Sequence, residues 1–150
     1  HAHVQPNGAY HYHGIPALLV DFLGNNEGMT LVGWAADGFP VYARYGFSDP
    51  NDSSTKTIAL KPSYRLKSQP DPNRPMVLTR LSGGPGQGTA PNTPISMGAF
   101  TQDYEYVDGL GDLDQCNGRF GVTPEFPNGI YYYVVSDDFP FFTRCLKGNV

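Results

Sequence analysis

The sequence predicts a mostly β fold: a single domain of short strands and long Gly/Pro-rich loops, sandwich-like in architecture. Three observations lead there. Helical periodicity is nearly absent, whereas short apolar runs bounded by Gly, Pro, Asn and Asp recur along the whole chain, as strands closed by turns do. Glycines number 18 and prolines 14, while only 16% of residues are charged, a composition that interrupts long helices. Aromatic residues make up 13% of the chain, enough to build a core, so low charge here does not mean disorder.

The elements follow in order. Strands are expected near residues 1–5 and 9–14, where aromatic and imidazole side chains alternate around a turn, and near 31–35 and 40–45 on either side of Asp37-Gly38. Further strands are expected near 64–67, 104–107 and 130–136, the last an unbroken Ile-Tyr-Tyr-Tyr-Val-Val run. The apolar run at 16–20 is also strand-sized. Residues 48–56, 68–75 and 82–98 read as loops, and 82–98 is flexible on composition. Its glycines are not a phosphate loop, because no Gly-Lys-Ser/Thr follows them.

Composition excludes several classes of partner. The net charge is −4, and Lys and Arg are scattered singly from Arg44 to Lys147, so neither nucleic acid nor an anionic membrane surface is an expected partner. No apolar stretch approaches the roughly 18–20 residues of a membrane span, so membrane insertion is not expected. Two cysteines, Cys116 and Cys145, are expected to form a structural disulfide closing a loop of about 30 residues, worth ~3 kcal/mol in the chain-entropy account. That bond requires an oxidising compartment: extracellular, cell-surface or periplasmic.

The concentrated chemistry lies at the beginning of the chain. All four histidines, His1, His3, His11 and His13, fall within the first thirteen residues as two His-x-His pairs bracketing Pro6-Asn7-Gly8. Pro suits the first central position of a type I turn, Asn the second, and Gly the left-handed residue that follows, which together make a three-residue hairpin loop. Register then sets His3 opposite His11 and His1 opposite His13, all on one face. A two-residue Asn-Gly loop would instead set His3 opposite Tyr12 and split the pairs between faces. In the first register Tyr10 and Tyr12 point to the other face, towards the core.

Cross-strand side chains lie roughly 5 Å apart at Cβ, and imidazole reaches a metal at about 2.0–2.1 Å, so several rings can converge on one divalent transition ion such as zinc or copper. His3, His11 and His13 are the candidate ligands, with His1 or Asp37 as an optional fourth. Asp37 also admits a general-base role beside metal-bound water, or a purely local role capping its own turn. The acidic residues Asp103, Glu105, Asp108, Asp112 and Asp114 read as solvated turn carboxylates, since Cys116 falls where an EF-hand needs an oxygen ligand. Catalysis by a Ser-His-Asp set would need a Gly-x-Ser-x-Gly elbow, which is lacking.

The run from His3 to Pro16, centred on Tyr10-His11-Tyr12-His13, resembles the YHYH domain family. So do Gly33-Trp34-Ala35-Ala36-Asp37-Gly38-Phe39-Pro40-Val41-Tyr42 and the blocks Asp103 to Tyr106, Gly111 to Arg119 and Thr123 to Gly129, in order along nearly the whole chain. The resemblance implies a secreted or cell-surface protein of largely unassigned activity, present here as the C-terminal part of a longer polypeptide. His3, His11 and His13 match its motif, and where relatives can carry a further histidine this chain has Tyr132. Two functional readings stand on the residues. One is an extracellular metal-binding domain. The other, from the Tyr- and Gly-rich composition, is a structural or adhesive surface protein that self-associates into a filament or matrix.

Overall fold

The computed structural model describes residues 2–12, 15, 17–23, 27–78 and 93–150. In chain order its strands are β1 (Ala2–Val4), β2 (Tyr10–Tyr12), β3 (Thr30–Trp34), β4 (Pro40–Ala43), β5 (Tyr45–Phe47), β6 (Thr57–Ala59), β7 (Tyr64–Leu66), β8 (Val77–Leu78), β9 (Thr93–Pro94), β10 (Tyr104–Tyr106), β11 (Gly118–Gly121) and β12 (Ile130–Val135). A short helix, α1 (Ala17–Phe22), and a 3-10 turn (Thr101–Asp103) complete the described elements. The mostly β class holds. Two compact units make up the chain, His1–Tyr64 with Val107–Val150 and, separately, Arg65–Tyr106.

The first unit is built on a four-stranded mixed sheet in the order β11-β12-β4-β3. β12 lies antiparallel to β11 and parallel to β4, with Tyr133 opposite Val41 and Val135 opposite Ala43. Both central strands are buried on both faces, which is why their sequences run apolar without alternating. Val41, Ala43, Tyr133 and Val135 join Ile15, Val20 and Cys116 in one apolar cluster, while Tyr42, Tyr132 and Val134 join Met29, Leu60 and Leu113 in the other. Adjacent residues of β4 and β12 thus alternate between the two clusters, as the pleat requires.

Edge strand β3 reaches β4 through a turn at Ala36-Asp37-Gly38. The Gly38 amide donates to the Ala35 carbonyl at 3.0 Å, and Ala35 donates to Phe39 at 2.9 Å. Gly38 has φ +83°, a left-handed conformation that favours glycine. The pairing skips a residue between Leu31 and Gly33, leaving Val32 as a bulge.

The strand-sized apolar run at 16–20 is helical where it is described. Residues 17–22 form α1, with Val20 buried in the core and Leu18 and Phe22 respectively 85% and 86% exposed. Six residues span less than two helical turns, too few to distinguish a helix from a strand by periodicity.

In the second unit β7 pairs with β10, and β8 pairs antiparallel with β9. Its organising contact is an ion pair between Arg74 and Asp103, 0% and 1% exposed at their side chains, with Nε–Oδ1 2.5 Å and Nη2–Oδ2 3.0 Å. Besides an Arg74 bond to the Pro75 carbonyl at 2.9 Å, further hydrogen bonds of the pair go to one segment. Arg74 donates to the carbonyls of Ile95 and Ser96, and Asp103 accepts from the amides of Gly98 and Phe100. Residues 93–98, assigned by composition to a flexible loop, are therefore held at both their carbonyls and their amides; 79–92 lie outside the described residues. Asp103, expected as a solvated turn carboxylate, is instead the buried partner of a guanidinium. No helix among the described residues is long and apolar enough to cross a membrane.

Candidate metal centre

The first hairpin forms as the Pro6-Asn7-Gly8 turn dictates. Gly8 donates to the Gln5 carbonyl at 2.8 Å, Gln5 donates to Ala9 at 2.8 Å, and the Asn7 side chain accepts from Ala9 at 3.0 Å. Gly8 takes φ +84°. This hydrogen-bond pattern is the one that joins β3 to β4, with Asn7 in the place of Asp37. The three-residue loop sets the register at Ala2–Tyr12, His3–His11 and Val4–Tyr10.

His3 and His11 therefore share a face, and their rings meet edge to face with centroids 4.4 Å apart. The His3 Nδ1 lies 3.2 Å from the Val4 carbonyl, which can only accept, so Nδ1 is the donor of that contact. The Gln5 side-chain amide lies 3.4 Å from His11 Nε2. A metal-ligating histidine commonly donates its other ring N–H to a carbonyl, as His3 does. His1 and His13 lie outside the described residues.

Burial on this hairpin differs from expectation. Residues 3–10 are all exposed, and Tyr10, expected in the core, is 62% exposed. The cause is topological: β1 and β2 form a two-stranded ribbon instead of entering the main sheet.

Asp37 stands elsewhere. Its Oδ1 accepts from the Phe39 amide at 3.5 Å, the local turn role, while Oδ2 accepts from the Tyr133 hydroxyl at 2.5 Å and from the amides of Lys147 and Gly148 at 3.1 and 3.0 Å. Burial opposes its ionisation, but these hydrogen bonds outweigh burial and hold the carboxyl below its ordinary value. The same burial and the same bond push Tyr133 up to about 12. Among the described residues no three His, Cys, Asp or Glu side chains come together, so Asp37 does not join His3 and His11.

The other polar candidates are engaged structurally. Cys116 and Cys145 form the expected disulfide. Glu125 accepts from the buried Tyr42 hydroxyl at 2.6 Å, and Glu105 pairs with Arg65 at 2.8 Å. Tyr132 is fully buried, its hydroxyl accepting from Arg119 at 2.7 Å.

With this geometry in place, comparison with known proteins decides the family. The pattern that defines the family described as YHYH protein matches residues 1–148. The chain belongs to the YHYH protein family. No curated protein and no solved structure matches it. In this YHYH member the eponymous residues Tyr10, His11 and Tyr12 are β2, the second strand of the hairpin, so the motif is a strand that presents His11 to His3.

Proposed function

We propose that this YHYH protein is an extracellular metal-binding domain whose hairpin holds one divalent transition ion, zinc or copper. The supporting observation is the cross-strand pair His3–His11, which share one face of the hairpin with their rings in edge-to-face contact. His3 and His11 are the first two ligands; His13, with His1 as an optional fourth, completes the set. Asp37 is left out, because Oδ2 already accepts three hydrogen bonds. Neutral imidazole suits both metals, and no thiolate is available, since both cysteines are oxidised. When bound, such an ion supplies Lewis acidity and lowers the pKa of a coordinated water. The disulfide supports placement in an oxidising compartment.

Copper(II) titration followed by its visible absorption, with elemental analysis of the purified protein, tests this reading. One equivalent is expected for the intact chain, reduced by His11→Ala and unchanged by Asp37→Asn. Absence of stoichiometric metal uptake by the intact chain rejects it.

A second reading, a structural or adhesive surface subunit, is favoured by Leu18 and Phe22, which project from one face of α1 almost fully exposed. Concentration-dependent assembly in light scattering, lost in Leu18→Ser with Phe22→Ser, would establish it.

A further inference from the structure

Two carboxylates of the first unit divide their oxygens in the same way. Asp37 uses Oδ1 for its own turn, and Asp114 uses Oδ1 for the amides of Cys116 and Gly118 at 2.8 and 3.2 Å. One oxygen suffices to cap a turn. The second oxygen of each is turned to the C-terminal segment of the chain. Asp37 Oδ2 takes the amides of Lys147 and Gly148, and Asp114 Oδ2 takes the Lys147 ammonium at 3.1 Å.

Two tyrosines stand between the carboxylates. The Tyr133 hydroxyl donates to Asp37 and accepts from the Lys147 amide at 2.7 Å. The Tyr131 ring carries the Lys147 ammonium 5.8 Å from its centroid, and its hydroxyl donates to Asp114. Glycine at 148 is a fitted residue: a Cβ there would meet the Asp37 Cβ at 3.1 Å and its carbonyl at 3.3 Å. Asp37 meets both the main-chain amides and the bare α-carbon, and Asp114 with Tyr131 meets the cation.

We infer that Asp37, Asp114, Tyr131 and Tyr133 form a recognition cleft for a Lys-Gly segment, filled here by the chain's own residues 147–148 and locked by the Cys116–Cys145 disulfide two residues before the lysine. This is independent of the histidine hairpin. The lock opens by two-electron reduction. A dithiol breaks the S–S bond, each cysteine sulfur leaves as a thiol with one proton, and the dithiol becomes a disulfide. With the S–S bond broken, residues 147–148 are held in the cleft by noncovalent contacts alone, and a lysine-bearing peptide in trans can take their place.

The test uses the full chain, oxidised and after dithiothreitol. The probe is a fluorescein-labelled peptide copying residues 145–150 with serine in place of cysteine, followed by fluorescence anisotropy. The oxidised protein should bind at least tenfold more weakly than the reduced protein. Replacing the peptide's lysine by norleucine, or its glycine by alanine, should weaken binding at least tenfold. Trypsin gives a second readout. Cleavage after Lys147 should appear on reduction, while cleavage after Arg119, inside β11, should not. The inference is overturned by equal binding to both redox forms, by indifference to the norleucine replacement, or by simultaneous cleavage after Arg119, which would mean that reduction unfolds the sheet.

Discussion

His3 faces His11 across the hairpin because three residues, Pro6, Asn7 and Gly8, turn the chain between them, and the contact of the two rings follows from that count. The positive φ of Gly8 is the most easily altered part of the turn. Gly8→Ala should cost about 1 kcal/mol locally. Since a two-stranded ribbon is marginal alone, that cost should show as weaker copper(II) binding with no change in the thermal midpoint of the core. Titration calorimetry alongside thermal unfolding separates the two.

The hydrogen-bonded Arg74–Asp103 pair makes the second unit acid-sensitive. Hydrogen bonds from Arg74, assisted by the amides of Phe100 and Gly98, hold the Asp103 carboxyl at about 2 against its ordinary value of 3.8. The folded value is depressed, so the stabilisation is complete above the ordinary value and disappears as pH falls through it to about 2. Urea unfolding at pH 5 and pH 2.5 should show this loss. Asp103→Asn should lower stability at pH 5 and flatten the difference between the two pH values.

Replacing Cys116 and Cys145 together by alanine should lower stability by about 3 kcal/mol in denaturant unfolding, with a steeper slope because the unfolded chain is no longer cross-linked. The 29-residue separation sets that magnitude through the freedom regained by the unfolded chain.

Tyr42→Phe removes a hydroxyl that donates to Glu125 and lies 2.9 Å from the buried Thr123 hydroxyl. Loss of stability by about 1 kcal/mol is expected, with no effect on metal uptake, because the change lies in the core of the sheet and not on the hairpin.

What the sequence revealed was local chemistry. All seven expected strand regions contain strands, and the Pro-Asn-Gly turn gave the histidine register directly, because hairpin pairing follows from turn length. What it concealed was long-range. Pro-Asn-Gly-x-Tyr-x-Tyr occurs at 6–12 and 127–133, yet Tyr10 is exposed while its counterpart Tyr131 is partly buried and packed against the core. The difference is the neighbours: β12 lies between β11 and β4, whereas β2 has β1 alone. Strand β11 escaped notice because it begins and ends in glycine. Those glycines answer to close contacts across the fold: a Cβ at 118 would meet the Tyr132 carbonyl at 2.5 Å, and one at 121 the Pro50 carbonyl at 2.7 Å. Asp103 looked like one of a string of surface acids, and its partner lies 29 residues earlier in the chain. Asp37 was legible as a turn residue, but its second oxygen was not, since that atom answers to residues about 110 positions away.

The side-by-side run of β12 with β4 has a temporal consequence. Val41 must wait for Tyr133, about ninety positions downstream, before the middle of the sheet exists. A ribosome that has reached residue 100 has therefore produced no finished sheet, and closing so long a loop makes assembly slow. Any chain cut short of Ile130 would lack the central strand, and β4 would be left with an open edge.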